Sequence, residues 1–212
     1  MCIRDRDPIA EITHNGIALE GGAHHKLDVI VFATGYDAMT GPLLNLNIGT
    51  SKASLKSYWK GGPRNYLGLA IPGFPNLFTI TGPGSPSVLS NMPVSIEQHV
   101  DWITECIAYC IKTGCTSIEA QEQSAEIWTD HVRETADATL LPKVQHSWYI
   151  GANIPGKPRV FMPYAGGLNM YRKICDNIAE EGYKGFDLNS VKASDISKPL
   201  DIIYSDGFLL GV

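Results

Sequence analysis

Two short stretches of the sequence, residues 27–33 and 76–81, are rich in apolar and β-branched residues, and each ends at a Thr-Gly pair. Consecutive apolar positions fit a strand that is covered on both faces, as in a parallel sheet, better than a strand with one wet side. The two stretches therefore predict neighbouring parallel strands and an α/β fold. Ligands of open α/β sheets bind beyond the carboxyl ends of the strands, so Thr34, Gly35 and residues 81–91 form the expected cofactor region.

The amino-terminal part of the chain predicts a small antiparallel hairpin. Residues 9–13 and 17–19 are rich in strand-forming residues, and Asn15-Gly16 between them suits a tight turn. Residues 1–8 have no periodic pattern, and we interpret them as a non-native or truncated start.

A long helix is predicted between residues 91 and 113, because apolar residues recur there at helical spacing. These residues are Ile96, Val100, Ile103, Ile107 and Ile111. Asn91 is a suitable N-cap, and Gly114 is placed to end the helix. A strand, a glycine-rich turn and a helix start would aim free N–H groups and partial positive charge at one point. An anion or an electron-rich carbonyl would bind well there, although the same residues also fit an ordinary strand-to-helix connection.

Two further helices and a long loop are predicted towards the carboxyl end. Residues 116–119 have the form of a capping box, so a helix should follow them and end before Pro142. Another helix is expected over residues 170–181. The Gly- and Pro-rich stretch 148–159 is long for a simple connection and contains Trp148, which either pins the loop to the core or contacts a ligand.

Composition excludes several classes of function. The net charge is −5, with 17 basic and 22 acidic residues and no long basic run, which argues against binding to duplex nucleic acid. No apolar run approaches the length of a membrane-spanning helix, and no leader is recognisable, so a cytoplasmic protein without membrane contact is expected. The five cysteines contain no C-x-x-C and predict free thiols in a reducing compartment. The six histidines do not have metal-ligand spacing, so we expect solvated loop side chains and no metal site.

Three blocks of sequence resemble one enzyme family. They are DxxxxATGY from Asp28, PNLFTITGPGSPSVLSNMPVSIEQHVDW from Pro75, and SWYIGANIPGKPRVFMPYAGGLNMYRKICD from Ser147. In this order they are similar to the flavoprotein Baeyer–Villiger monooxygenases, the cyclohexanone and phenylacetone monooxygenase group. The likeness runs from about residue 9 to residue 188, and the two longer blocks are its specific part.

The resemblance implies part of a two-dinucleotide-binding flavoprotein fold that uses FAD and NADPH. The implied reaction inserts one atom of O₂ next to the carbonyl of a ketone substrate, giving an ester or lactone. By position, Met92, next to Asn91, matches the residue whose backbone N–H meets the flavin, and Trp148 matches the loop tryptophan that engages the nicotinamide cofactor. Five further positions match residues of the ketone pocket: Ser87, Val88, Leu89, Phe161 and Pro163.

The resemblance also implies that this chain is the carboxyl-terminal portion of a longer enzyme. The two glycine-rich dinucleotide fingerprints of the family, its F-x-G-x-x-x-H-x-x-x-W motif and its catalytic arginine do not occur in the sequence. We therefore assign no catalytic residue here, name the missing amino-terminal portion as the partner, and expect the isolated chain to be inactive.

The implied organisation has four parts after the start. Residues 9–36 return from the NADPH domain, residues 37–115 end the FAD domain, residues 116–188 carry helices and the mobile loop, and residues 189–212 form a tail. Two alternatives remain: a related flavin enzyme that oxidises nitrogen or sulfur, and a non-catalytic nucleotide- or partner-binding module.

Overall fold

A computed structural model of the chain describes residues 7–33, 35–46, 48–49, 54–144 and 147–190. The chain divides into two compact units, residues 1–36 and residues 37–212. Thr34 and most of the predicted tail lie outside the described residues.

The first unit contains a three-stranded antiparallel sheet. Its strands are β1 (Ile9–Thr13), β2 (Gly16–Leu19) and β3 (His24–Lys26), in that order. Thr13 pairs with Gly16, so the loop of the first hairpin is His14-Asn15, one residue earlier than the Asn-Gly pair suggested. The hairpin itself is confirmed. The third strand is short and exposed, so it has no apolar alternation by which the sequence could have revealed it.

The predicted buried strand at residues 27–33 is not formed. This stretch has no regular secondary structure, and Val29, Val31 and Phe32 are 75%, 81% and 69% exposed. A strand of this composition needs a neighbour for its backbone and cover for both faces. Among the described residues no strand pairs with it, so the apolar pattern is present without the sheet that it requires.

The second unit has a core of three helices and a two-stranded sheet. The helices are α3 (Met92–Thr113), α4 (Glu122–Asp137) and α5 (Leu168–Glu180), and the antiparallel strands are β4 (Ser117–Ala120) and β5 (Phe186–Asn189). Aromatic side chains fill much of the core, among them Tyr66, Trp102, Trp128, Tyr164, Tyr171, Tyr183 and Phe186. Two short helices, α1 (Gly41–Asn45) and α2 (Leu55–Tyr58), pack into a smaller cluster around Leu55, Trp59, Ile71 and Phe74.

The second predicted parallel strand, residues 76–81, is also not formed. Phe78 makes only an isolated antiparallel bridge to Ala70, and the Thr79 amide donates to the Leu69 carbonyl at 2.8 Å. The stretch is therefore an irregular segment, of which only Thr79 is buried, and its bridge to Ala70 is antiparallel. The prediction of two parallel strands was wrong, although the mixed α/β character of the fold is confirmed.

Helix α3 lies where the sequence predicts, but it buries a different face. Its buried residues are Ser95, Gln98, His99, Trp102, Cys106 and Cys110. Four residues of the aliphatic stripe are exposed, from 38% at Ile96 to 76% at Ile111, whereas Ile103 is half-buried against the core. Trp102 explains the orientation, because it is 3% exposed and its indole N–H donates to the Cys175 carbonyl of α5 at 2.9 Å. The expectation that every histidine is solvated is wrong for His99, which is fully buried.

The predicted capping box at residues 116–119 is wrong, because Ser117–Ala120 is the strand β4. Its pairing partner β5 lies about seventy residues further along the chain, so local sequence could not indicate the pairing. Helix α4 follows as predicted but begins at Glu122, with Gln121 as N-cap. Helix α5 also forms as predicted, within about two residues at its start.

Candidate functional site

The loop of residues 82–86 lies at the centre of the candidate site, and Asn65 holds it through hydrogen bonds. The buried Asn65 side chain donates from Nδ2 to the Pro83 carbonyl and accepts the Gly68 amide on Oδ1 at 3.0 Å. A Cβ atom at Gly82 would lie 2.5 Å from the Gly68 carbonyl oxygen, so only glycine allows this close approach. The loop is therefore pre-shaped by the chain's own residues.

Trp128 of α4 fixes the same loop from the side. Its indole N–H donates to the Gly84 carbonyl at 3.1 Å, and its ring stacks on Tyr164 with centroids 5.3 Å apart. Pro83 and Pro86 are fully buried. Because buried carbonyls without a donor are costly, these bonds hold one loop conformation in place.

Both ends of this loop have strained backbone. Thr81 has φ = 54° and Ser87 has φ = 38°, values that non-glycine residues rarely adopt. The Thr81 amide donates to Nδ1 of His99 at 3.0 Å. Burial lowers the pKa of the His99 imidazole to about 4, so at neutral pH the ring is uncharged and can accept this bond. Strained residues held by buried partners are typical of functional sites.

The start of α3 is open. Asn91 is the N-cap, as predicted, but its side chain is exposed and makes no capping hydrogen bond. Pro93 has no N–H, and the Ser95 amide already donates to the Asn91 carbonyl at 3.1 Å. The half-buried Met92 thus contributes an amide at the positive end of a 22-residue helix that no side chain caps. These features fit an electron-rich carbonyl such as that of a flavin.

The three predicted pocket residues before α3 form a short 3₁₀ turn, Ser87–Leu89. Ser87 is 2% exposed, and its Oγ has no hydrogen-bond partner among the described residues. Val88 points outward and is 39% exposed. Leu89 lines a shallow cavity with Met170 and Lys173 of α5. Val88 and Leu89 thus present apolar surface, whereas Ser87 is turned into the protein.

Trp148 lies at the start of another 3₁₀ turn, Trp148–Ile150, which Ser147 caps and Gly151 ends with φ = 69°. The indole is half-buried and packs edge-on against Tyr149, with ring centroids 4.5 Å apart. The indole is therefore partly exposed and partly packed against the protein.

Backbone hydrogen bonds connect the Trp148 segment to the 82–86 loop. The Met162 amide donates to the Tyr149 carbonyl at 2.7 Å, and the Met162 carbonyl accepts the Gly84 amide at 2.6 Å. The Tyr164 amide then donates to the Ser85 carbonyl at 2.7 Å. Backbone hydrogen bonds of residues 162–164 therefore connect the Trp148 segment to the 82–86 loop.

Phe161 and Pro163, the remaining predicted pocket residues, have different environments. Phe161 lines a cavity of about 420 Å³ with Trp128 and Ile150, whereas Pro163 is fully buried. Residues 87–89 do not line this cavity. The described residues thus do not bring the five predicted positions into one cavity, and their joint role stays a prediction.

An ion pair holds the loop of residues 151–158. Lys157 Nζ binds Asp37 Oδ1, and the Lys157 side chain is only 10% exposed. Thr40 Oγ1 donates to the same carboxylate oxygen at 3.0 Å. The loop closes over a cavity of about 840 Å³ whose wall also carries Lys56 and Lys60.

Several residues that shape the site were not predicted. Asn65 and Asp37 have no sequence signal, because both act through contacts with residues distant in the chain. Trp128 was assigned only to a helix. His99 could have been suspected, since it lies one turn before Trp102 on the same helical face.

Comparisons with known proteins relate the chain to a family. No family model matches the sequence. Cyclohexanone 1,2-monooxygenase of Acinetobacter sp. is 42% identical over 194 residues, which are 91% of this chain and 35% of the relative. The chain is homologous to the Baeyer–Villiger monooxygenases. Phenazine N-monooxygenase of Lysobacter antibioticus is 41% identical over 90% of this chain and 35% of its own length.

Solved structures of flavin monooxygenases have the same fold over the matched region. An oxidised steroid monooxygenase bound to NADP is 48% identical, with a TM-score of 0.76, over 87% of this chain and 34% of that chain. OTEMO in complex with FAD and NADP is 34% identical, with a TM-score of 0.78, over 86% of this chain and 33% of that chain. The chain thus spans about a third of the length of these monooxygenases and has part of their larger fold, as predicted.

None of the helices in the described residues combines the length and the apolar character needed to cross a bilayer.

Proposed function

We propose that this chain is part of an FAD- and NADPH-dependent Baeyer–Villiger monooxygenase, which converts a ketone and O₂ into an ester or lactone. The observation that carries the proposal is the start of α3, which no side-chain hydrogen bond caps, in a chain 42% identical to a cyclohexanone monooxygenase. When bound, the flavin would supply the activation of O₂.

In the proposed enzyme, the residues of this chain bind and orient the flavin, the nicotinamide and the ketone. The Met92 amide donates to a flavin carbonyl, and Gly35 allows close backbone approach of the cofactor. Trp148 stacks against or donates to the nicotinamide. Val88, Leu89 and Phe161 supply apolar walls for the ketone, while the buried Ser87 and Pro163 position the backbone beneath those walls. The catalytic arginine belongs to the remaining portion of the enzyme, so this chain alone forms no product.

A chimera tests the proposal directly. In the Acinetobacter cyclohexanone monooxygenase, the matched segment is replaced by the corresponding residues of this chain, and ester or lactone formation from cyclic and aryl ketones is measured with NADPH. We expect NADPH-dependent product and a bound flavin. A folded chimera that binds FAD and oxidises none of the ketones would contradict the assignment.

Substitution of Met92 in that chimera isolates the amide. Met92→Pro removes the N–H together with the methionine side chain, and the backbone can keep its course because proline suits the first helical position and Asn91 already has the extended ψ of 112° that precedes proline. We expect weaker flavin binding and lower turnover. Met92→Leu retains the amide and should bind flavin like the unsubstituted chimera, so equal loss in both variants would argue against an amide contact.

A second candidate reaction is oxidation of a nitrogen heterocycle, which the 41% identity to the phenazine enzyme favours. The same chimera assayed with phenazine distinguishes the two, since N-oxide without ester would replace the ketone assignment. We also propose a cytoplasmic location, because the described cysteines are free thiols.

A further inference from the structure

Three cysteines lie together at the carboxyl end of α3. Cys106 and Cys110 are on its buried face, and Cys115 follows Gly114, the residue that ends the helix. All three are free thiols in the structure. The site proposed above does not use them.

The end of α3 is a Schellman motif, and this motif brings Cys110 and Cys115 together. The Cys115 amide donates to the Cys110 carbonyl at 2.8 Å, the Gly114 amide donates to the Ile111 carbonyl at 3.3 Å, and Gly114 has φ = 71°. In this motif the side chains of the first and sixth residues are placed to touch. The Cys110 thiol interacts with the thiols of both Cys115 and Cys106.

The alternative pair, Cys106 and Cys110, is less suitable for a covalent bond. Residues four apart on a helix have Cβ atoms about 5–6 Å apart, whereas a disulfide requires about 3.5–4.5 Å. Cys106 is also completely buried, so an oxidant cannot reach it. The half-buried Cys115 is accessible, and Cys110, at 8% exposure, lies directly beside it.

We propose that Cys110 and Cys115 form a redox-sensitive pair that hydrogen peroxide converts into a reversible intrachain disulfide. The Cys115 thiolate attacks one peroxide oxygen, the O–O bond breaks, and water leaves after protonation, which gives a sulfenic acid. The Cys110 sulfur then attacks Cys115 Sγ. The S–S bond forms, the S–O bond breaks, and the Cys110 proton leaves with the hydroxyl group as water. In total, two thiols lose two electrons and one peroxide becomes two waters.

The surroundings set the order and pH dependence of the two steps. Burial raises the pKa of the Cys110 thiol to about 11, so few Cys110 thiolates exist at neutral pH. The second step should accelerate roughly tenfold per pH unit between pH 7 and 9, as the thiolate fraction rises. Cys115 Sγ also donates to the Ser117 carbonyl at 3.0 Å, and this bond is lost on oxidation.

Peptide mapping of the whole 212-residue chain tests the proposal. The chain, with Cys2→Ser to remove an unrelated thiol, is treated with hydrogen peroxide, alkylated and digested with trypsin without reduction. Lys112 separates the two cysteines, so a disulfide joins two otherwise separate peptides. We expect this linked species, its loss after dithiothreitol, and more of it at pH 9 than at pH 7. Dimedone should trap the sulfenic acid on Cys115 at pH 7.

Single substitutions identify the partners. Linkage should persist in Cys106→Ala and disappear in Cys110→Ala and Cys115→Ala. Fragmentation of the linked wild-type peptide between residues 106 and 110 gives the same assignment if a variant does not fold. Linkage through Cys106, or conversion of Cys115 to sulfinic acid without any linked peptide, would overturn the proposal.

Discussion

The two glycine-containing loops of the candidate site are held in different ways. The 82–86 loop is fixed by uncharged, buried hydrogen bonds from Asn65 and Trp128, and His99 holds the residue before it. The 151–158 loop makes short-range backbone bonds and is tied to Asp37 through one ion pair of Lys157. Buried bonds of the first kind are costly to break, whereas a partly exposed ion pair competes with water and salt.

This difference matches what each loop must do in the proposed enzyme. An amide that meets a flavin carbonyl needs a fixed position, since a displacement of a fraction of an ångström loses the hydrogen bond. A loop that closes over a nicotinamide cofactor must open to release it. The first loop is therefore built as a rigid support and the second as a segment with a breakable tether.

The largest effect on the rigid loop should come from Asn65→Asp. The substitution keeps the size and shape of the side chain, but it replaces the donor to the Pro83 carbonyl with an oxygen and buries a charge. We expect a loss of about 3 kcal/mol or more in the free energy of unfolding at pH 7, measured by urea denaturation.

Asn76→Asp is the matched control for that substitution. The Asn76 side chain also makes two hydrogen bonds to backbone, to the Thr116 carbonyl at 3.2 Å and from the Ile118 amide at 3.0 Å, but it is exposed. Its replacement should cost less than about 1 kcal/mol. Equal losses at the two positions would mean that burial does not distinguish the 82–86 loop.

The sequence predicted the helices of this site better than it predicted the contacts that hold the site in place. Helical spacing located α3 and its ends correctly, because periodicity and a terminal glycine are local signals. The aliphatic stripe does not mark the face that packs, because Trp102 and Cys106 meet α5, and this contact depends on the tertiary structure. The apolar stretches at 27–33 and 76–81 predicted strands whose sheet does not form among the described residues.

Motif resemblance succeeded where periodicity failed. The block from Pro75 to Trp102 identified the family, although the strand inferred from the same residues was wrong. The flavin contact that it implies for Met92 stays a prediction. The roles of Asn65 and Asp37 could not be predicted, since their partners lie far along the chain. Asn65 contacts a residue 18 positions away, and Asp37 contacts one 120 positions away. Long-range hydrogen bonds of single polar residues leave no pattern in one sequence.

The stability of the fold should depend on pH, because His99 must be neutral to accept the Thr81 amide. Burial lowers its pKa from 6.5 to about 4, so between these values the unfolded chain binds a proton that the folded chain does not. The contribution of neutral His99 to the free energy of unfolding is fully present above about pH 6.5. It is lost as the pH falls towards 4, by up to about 3 kcal/mol. His99→Gln retains an acceptor and should remove this part of the pH slope in urea titrations. An unchanged slope would show that His99 titrates normally.

Trp128→Phe should have a smaller effect, about 1–2 kcal/mol, because it removes one buried hydrogen bond and little volume. Trp102→Phe removes an equivalent bond, from its indole to the Cys175 carbonyl at 2.9 Å, and should cost a similar amount. Only Trp128→Phe should also speed hydrogen exchange at the Gly84 amide, by roughly tenfold. Equal exchange in both variants would mean that Trp128 stabilises the core without holding the loop.

The smallest change in global stability is expected for Asp37→Asn, which removes the tether of the 151–158 loop. The loss should be about 1 kcal/mol or less, since Asp37 is 30% exposed, but Lys157 is left partly buried without its charge partner. Local opening should therefore increase, and trypsin should cleave at the exposed Arg159 several-fold faster. Asp130→Asn breaks a 2.9 Å pair with Arg133, whose side chains are 51% and 66% exposed, and should leave this rate unchanged. If the two variants are cleaved equally fast, the ion pair does not tether the loop, and the contrast between a rigid and a releasable loop fails.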